Sequence, residues 1–438
     1  MEFVIKQSAL KEVLGYVQGV VERKSTIPVL SNILIESLGE NSIRIVGTDL
    51  DVTIRCDAEA DIKKAGAMCI QARKLFDLSR LLSAENVTFK KEENEWVNVT
   101  CGRGKFRLAG VSRETFPEIP IFKSAPLKLP AEVFNYFIQH TAFAITNEQS
   151  RFTLSGAKFM LADGKARMVT TDGHRLAYIE KVLDEPLEGT MDALIPKKAL
   201  LELVKISRDS GEDVSFGEDQ NHIYFELEGR LLITRKLSGN FPNYEMVMPK
   251  DNDKTAVFDL DEMKGAVRRV ALMADERNRS IRLTVREGEV ELSAQSSEEG
   301  EGNEVVPADY KGEEMQIGFN WQYLQEFLNT VSAIQTGSAI DAEENSPPAR
   351  GGVAASSSPP VLGGVDAAPG GRGGADGVVG SATVDTTRET DGDKVRVKET
   401  SSPTRISFEF KDSNAQTQMR IAGETTYDYK YIVMPLRI

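Results

Sequence analysis

Apolar positions along the chain switch between two periods. Leu10, Val13, Leu14, Val17, Val20 and Val21 recur at steps of three and four, the spacing that gathers side chains on one helical face. This predicts an amphipathic helix over SALKEVLGYVQGVVERK, with Ser8 as its N-cap. Alternating runs follow in ILIES and SIRIVGTDLDVTIRC and predict strands. A second helix is predicted in ARKLFDLSRLLS from the stripe Leu75, Phe76, Leu78, Leu81 and Leu82, and the segment closes with FRLAGVSRETFPEIP.

The same order returns twice. PAEVFNYFIQHTAFAI, with Pro130 at its first turn and the stripe Val133, Phe134, Phe137 and Ile138, opens a second round that passes through PKKALLELVKISR and closes with LLITRKLSGNFPNYEMVMP. DLDEMKGAVRRVALMA opens a third, which passes through IRLTVREGEVELSAQ and NWQYLQEFLNTVS and closes with MRIAGETTYDYKYIVMP. The second helices begin near residues 73, 197 and 320, and Phe116-Pro117 recurs as Phe241-Pro242 at the same step. A repeat of this length is a small domain. The fold class expected is therefore α+β, with helices packed on antiparallel sheets and domains at 1–125, 126–252 and 253–438.

The third round closes late. From about Gln335 to Pro403 the chain is rich in Gly, Pro and Ser with few large apolar residues, a composition that buries too little surface to offset its ordering entropy. It is read as a disordered insertion in a helix-to-strand loop, with VRVKE near Val395 as a possible edge strand.

Composition narrows the function. At 40% hydrophobic and 27% charged residues the chain has the balance of a soluble globular protein. No apolar run is long enough to span a bilayer and MEFVIKQSALKEV lacks a signal-peptide core, so a cytoplasmic protein with no membrane partner is expected. Cys56, Cys69 and Cys101 lie in strand-like surroundings without a C-x-x-C and read as reduced structural thiols. A net charge of −14 argues against a protein that coats nucleic acid with its whole surface, and leaves room for a basic inner face under an acidic exterior.

Chemistry concentrates in Thr171 to Ala177, TDGHRLA. Asp172-Gly173 predicts a tight turn at a strand end, after which His174 and Leu176 share one face and Arg175 takes the other. His140, His174 and His222 are in no metal-ligand spacing, and no nucleophile elbow, phosphate loop or zinc motif is present, so neither a metal nor a cofactor is expected. Three readings of His174 stand: a general base beside Asp172 in a hydrolase, a satisfied turn histidine, or the rim of a binding site. The helices add a second signal. Lys198 and Lys205 lie seven apart and are extended by Lys197 and Arg208; Arg73 and Arg80 repeat the spacing; Lys264, Arg268 and Arg269 follow in the third round, and Arg23 and Lys24 end the first helix. These are either solvated helix faces or a surface that contacts phosphates without reading sequence.

The triplicated unit, TDGHRLA, FPNYEMVMP and the terminal YIVMPLRI together closely resemble the bacterial sliding clamp family, the beta subunit of DNA polymerase III, over the whole chain except the Gly/Pro insertion. The resemblance implies a non-catalytic ring: a head-to-tail homodimer of three-domain subunits, with helices lining a hole that encircles double-stranded DNA and sheets outside. It implies as partners the replicative polymerase alpha subunit, a clamp loader and other replication and repair proteins, which insert a short apolar, glutamine-containing peptide between the second and third domains. The matching positions are Leu154, Thr171, Gly173, His174, Arg175, Leu176, Pro242, Met246, Val247, Ile432, Val433, Met434, Pro435, Leu436 and Arg437, with Met246 where the family would place Arg. DNA-facing residues are expected at Arg23, Lys24, Arg73, Arg80, Gln149, Lys197, Lys198 and Lys205. For the dimer contact, Phe106 and Leu108 match an apolar edge strand and Leu272 and Met273 the helix end it meets, with Lys74, Arg103 and Lys105 facing Glu298, Glu299, Glu301 and Glu304. The rival readings are a hydrolase using His174 and Asp172, and a monomeric DNA-binding relative whose insertion blocks ring closure.

Overall fold

The computed structural model describes residues 1–21, 26–121, 125–148, 150–185, 187, 189–208, 210–298, 300–335 and 404–437. The Gly/Pro insertion, its VRVKE segment, Arg23, Lys24, Gln149 and Glu299 therefore lie outside the described residues.

Among the described residues six α-helices each continue directly from a strand: α1 (Gln7–Val17), α2 (Ala72–Leu81), α3 (Ala131–Thr141), α4 (Lys197–Ser207), α5 (Leu260–Val270) and α6 (Trp321–Gln335). The direct strand-to-helix passage corrects the expected capping. Ser8 is not the N-cap of α1; Lys6 is, with no side-chain bond, because the strand runs straight in and the Gln7 N–H donates to the Glu85 carbonyl at 2.8 Å. A tertiary carbonyl replaces the side-chain cap. Pro130 likewise precedes α3 as its cap residue. Two of these helices do carry side-chain caps: at α5 Asp259 accepts from the Asp261 and Glu262 N–H groups at 2.9 Å each, and at α6 Asn320 Oδ1 accepts from the Gln322 N–H at 3.0 Å. In α2 the buried face is Ala72, Leu75 and Ser79, and Leu81, expected in the stripe, is 83% exposed.

The helices pair as α1 with α2, α3 with α4 and α5 with α6, and α1 meets α4 while α3 meets α6 between successive pairs. Each pair is packed against strands of two antiparallel sheets. The sheets ignore the repeat boundaries. In a nine-stranded sheet Val52–Glu59 pairs with Arg230–Arg235, and in an eight-stranded sheet Arg175–Val182 pairs with Asp428–Val433. Two shorter sheets remain, one of five strands ending in Gly104–Leu108 and one of four ending in Gly300–Pro307. One apolar core, from Phe3 to Val433, runs through all three repeats. Cys56, Cys69 and Cys101 are unpaired and buried; burial pushes the Cys56 thiol up to about 12 and the Cys69 thiol to about 11, which suppresses thiolate chemistry.

Candidate functional site

The turn at 171–175 is built from its own side chains. Asp172 Oδ1 accepts the N–H groups of His174 at 2.9 Å and Arg175 at 3.1 Å, an Asx turn. Gly173 takes φ +91°, a region that disfavours a side chain, and its N–H donates to Thr171 Oγ1 at 3.0 Å. Thr171 Oγ1 in turn donates to the Arg175 carbonyl at 2.6 Å. Arg151 Nη1 braces the turn from outside, donating to the Asp172 carbonyl at 2.9 Å.

Arg175 points inward and is 8% exposed. Nε donates to Asp172 Oδ2 at 3.0 Å, Nη2 to the Phe143 carbonyl at 2.9 Å, and Nη1 to Glu326 and to the Tyr431 hydroxyl. Its flat face lies 4.5 Å from the centre of the Tyr323 ring. Burial opposes the guanidinium charge, but Tyr431, Glu326 and Asp172 outweigh it and hold the group protonated. Burial also raises the Glu326 carboxyl, which Arg175 only partly offsets. Arg175 therefore brings structure to the site and little charge to its rim. The same bonds dispose of the hydrolase arrangement: both Asp172 oxygens are committed to turn N–H groups and to Arg175, so Asp172 does not orient the His174 imidazole as a general base requires. Among the described residues no group of three His, Cys, Asp or Glu side chains is placed to hold a metal ion.

Beside this turn lies a cleft of about 110 Å³ lined by Leu154, Thr171, Gly173, His174, Arg175, Leu176, Pro242, Asn243, Tyr244, Val247, Ile432 and Met434. It is small beside the roughly 300–1,000 Å³ of sites that engulf a drug-sized ligand, and suits an apolar side-chain anchor. Its floor is a separate buried cluster of Val169, Leu176, Tyr178 and Ile432, with Tyr244 and Val247 packed on it. Strand pairing sets the floor, because Leu176 stands opposite Ile432 and Arg175 opposite Val433.

Five expected residues do not line the cleft. Met246 ends a short 3-10 turn that throws its side chain outward, 81% exposed. Val433 is fully buried within the sheet, between Arg175 and Thr417. Pro435, Leu436 and Arg437 run on past Met434, and the Leu436 N–H donates to the Gly318 carbonyl at 2.8 Å. Asn243 and Tyr244 were missed, although both sit inside FPNYEMVMP. An aromatic between an apolar anchor and a turn was the available signal.

The basic helix residues divide. Lys205 and Arg73 are exposed, with Lys205 bonded to Glu202 at 2.7 Å and Arg73 3.9 Å from Asp77. Arg80 is exposed with its guanidinium 5.7 Å from the Phe76 ring. Lys197 donates to Asn147 Oδ1 at 3.0 Å, and burial lowers its amine, with Glu326 opposing. Lys198 is a correction: its ammonium is tied to Asp49 Oδ2 at 2.5 Å and to the Val20 carbonyl at 2.8 Å. It fastens α4 to the first repeat, so its charge is already compensated.

Two sheet edges, Gly104–Leu108 and Gly300–Pro307, also carry exposed apolar residues. Phe106 is 39% exposed on one edge strand, Val305 51% on the other, and Leu272 69% beside it, with Met273 half-buried against Gly302. Lys74, Arg103, Lys105, Glu298 and Glu301 are exposed. Leu108 is not: it faces the core, 7% exposed. Glu304 is held within its own chain by a two-pronged bond from Arg269, at 2.9 and 2.5 Å.

Comparison with known proteins agrees with this division into three repeats. The DNA polymerase III beta subunit N-terminal domain matches residues 1–120, its central domain residues 128–243 and its C-terminal domain residues 245–337. The chain belongs to this family. The beta sliding clamp of Chlamydia pneumoniae is 34% identical over 75% of this chain and 89% of its own length, and that of Haemophilus influenzae 30% identical over 76% and 92%. Among solved structures, the DNA polymerase III beta subunit of Pseudomonas aeruginosa superposes with a TM-score of 0.77 at 26% identity, covering all of both chains. A DnaN sliding clamp of Bartonella birtlesii bound to griselimycin gives 0.79 at 25% identity, again over all of both chains. Members of this family are accessory processivity factors and not enzymes, in keeping with a site made of an apolar cleft and a self-satisfied turn.

Proposed function

We propose that two copies of this chain close head to tail into a ring around double-stranded DNA, and that the cleft beside the 171–175 turn captures short apolar peptide segments of the replicative polymerase, the clamp loader and other replication and repair proteins. The observation that carries the reading is the arithmetic of the sheets. Each internal junction joins strands of adjacent repeats into a sheet of nine or eight. The five-stranded and four-stranded sheets end in open edges with exposed Phe106, Val305 and Leu272. Pairing those two edges between copies makes a third junction, a sheet of nine strands, and satisfies the open backbone groups of Gly104–Leu108 and Gly300–Pro307. A heterologous contact of this kind closes into a ring when its rotation allows.

Domain limits of 1–125, 126–252 and 253–438 place one helix pair in each domain. Exposed Arg73, Arg80 and Lys205, with half-buried Lys197, then supply the mobile phosphate contacts, and topological closure lets those contacts stay weak. No helix among the described residues is long and apolar enough to cross a membrane, and the cytoplasm is the proposed location.

Two measurements test this. Negative-stain electron microscopy is expected to give rings with a hole wide enough for a duplex. Protein loaded on nicked circular DNA is expected to stay through a salt wash and to leave once the circle is cut. Compact particles without a hole, or retention that ignores linearisation, would instead identify a monomeric DNA-binding relative.

A further inference from the structure

The polar wall of the cleft is held in place by a residue that does not line it. We propose that Glu326 is a positioning residue for peptide capture: from α6 it fixes the Arg175 guanidinium, and through Arg175 the 171–175 turn, so that affinity for a partner peptide depends on a carboxylate outside the cleft. The inference rests on reading the cleft as a peptide site.

Arg175 has five N–H donors and no acceptor, and its partners fall into two groups. Asp172 and the Phe143 carbonyl belong to the same repeat as the turn. Glu326, the Tyr431 hydroxyl and the Tyr323 ring come from the third repeat. The second group therefore registers the turn against the strand that ends at Val433 and continues into Met434. Ile432 and Met434 are the third repeat's share of the cleft lining, and the Met434 N–H donates to the His174 carbonyl at 3.1 Å. The Tyr431 hydroxyl also donates to the Tyr323 carbonyl at 3.1 Å, so the aromatic groups around the guanidinium are themselves fixed. Buried as it is, Arg175 cannot turn to water for a lost partner. Removing Glu326 frees the guanidinium to seek another acceptor, and the nearest movable part is the turn it belongs to.

The experiment is fluorescence anisotropy of the full chain with a fluorescein-labelled synthetic heptapeptide of one glutamine followed by leucine and phenylalanine residues. Glu326→Leu is expected to weaken binding about tenfold to a hundredfold, the scale of one buried hydrogen bond to a charged group. Glu326→Gln keeps an acceptor oxygen in place and is expected to restore affinity to within about threefold. Rescue by the amide is the signature of positioning, since a packing role would be served at least as well by leucine. Met434→Asp, inside the cleft, is the control. If it abolishes binding while Glu326→Leu, folded and dimeric, binds like the parent, this inference falls and the peptide site stands. If the parent does not bind or Met434→Asp changes nothing, the peptide site falls and the inference with it. Should Glu326→Leu fail to fold, Tyr431→Phe removes a single hydroxyl from the same shell; a loss of about threefold is expected, and unchanged affinity overturns the proposal.

Discussion

The 171–175 turn has a twin. Thr48, Asp49, Leu50, Asp51 and Val52 occupy the same place in the first repeat, and the backbone bonds correspond one for one. Asp49 Oδ1 accepts the Asp51 and Val52 N–H groups at 3.0 and 2.7 Å, as Asp172 does for His174 and Arg175. The Leu50 N–H donates to Thr48 Oγ1, as Gly173 does to Thr171. The Arg235 N–H donates to the Asp51 carbonyl, as Met434 does to His174. Val52 pairs with Thr234 across the first junction and Arg175 with Val433 across the second. In both, a second helix of the following repeat sends a charge to the turn: Lys198 of α4 to Asp49, Glu326 of α6 to Arg175. The side chains decide what differs. The first turn closes over buried Val52 and Thr53, whose hydroxyl is 2.8 Å from Thr48 Oγ1, while Ile119 packs on the cluster that contains Ile233. The second presents Leu176, Ile432 and Met434 to a cleft and places its charges behind them. One backbone device thus serves as a junction in one place and as a junction with a binding site in the other.

Converting the second turn to the first tests this most severely. Arg175→Val leaves the half-buried Glu326 carboxylate, 22% exposed, without its hydrogen-bonded cation, and breaking a pair set this deep costs at most about 3–5 kcal/mol. Urea denaturation is expected to show a loss of that size, with no detectable capture of the heptapeptide. A loss below about 1 kcal/mol would mean that Glu326 reaches water readily and that the two junctions are interchangeable.

Acid should also separate the junctions. His140 lies on α3 at the second junction, its ring 3.8 Å from that of Tyr136 and 4.7 Å from that of Tyr429, with Nδ1 bonded to the Tyr136 carbonyl at 2.7 Å and Nε2 unpartnered. Tyr136 and Tyr429 are the titratable groups facing it, and burial lowers the imidazole to about 3. The unfolded chain takes up this proton near pH 6.5, the folded chain only near 3. Stability from this group is therefore full above about 6.5 and falls, by at most about 1.4 kcal/mol per pH unit, as pH drops towards 3. His140→Leu is expected to flatten the pH dependence of thermal unfolding across that window. An unchanged slope would place the acid sensitivity elsewhere.

Much of this was legible in advance, and the misses have physical causes. The strand-turn-strand at 171–175 follows from Asp172-Gly173 and alternation, and ten of the twelve cleft residues lie at positions carried by the resemblance. Arg175 as a buried brace was not legible, because Glu326 is 151 residues away and only tertiary contact joins them. The twin turn was visible as Thr48-Asp49, 123 residues before Thr171-Asp172, but Leu50 in place of glycine concealed it: Leu50 holds φ +82° without the residue that signals such a conformation. Lys198 reads as one more helix-surface cation until Asp49 is placed beside it. Helix faces show which residues are outside, and not what the neighbouring domain puts there.

Lys198→Met tests the first junction in the same way as Arg175→Val tests the second, with a smaller expected effect. The lysine side chain is 40% exposed although Asp49 is only 10% exposed, so water screens the pair and the loss should be about 1 kcal/mol. Thermal unfolding of the two variants side by side ranks the junctions. A larger loss for Lys198→Met than for Arg175→Val would reverse the assignment of the second junction as the one held by buried charge.

The smallest effect belongs to the residue that hid the twin. Leu50→Gly relieves a left-handed conformation that costs a side-chain-bearing residue about 1–2 kcal/mol, but adds roughly 0.5–1 kcal/mol of unfolded-state freedom. It also gives up the buried half of a leucine that is 48% exposed, worth about 1 kcal/mol. These terms nearly cancel, so the midpoint of urea unfolding should shift by less than the equivalent of about 1 kcal/mol. The reverse exchange is not balanced. Gly173→Leu imposes the same backbone cost at φ +91° and sets a Cβ 3.1 Å from Arg151 Nη1, which must give way along with its bond to the Asp172 carbonyl. A loss above about 2 kcal/mol for Leu50→Gly would show the first turn to be held by its leucine and not by the Thr-Asp bonds it shares with the second. The likeness of the two turns would then be one of shape without a common cause.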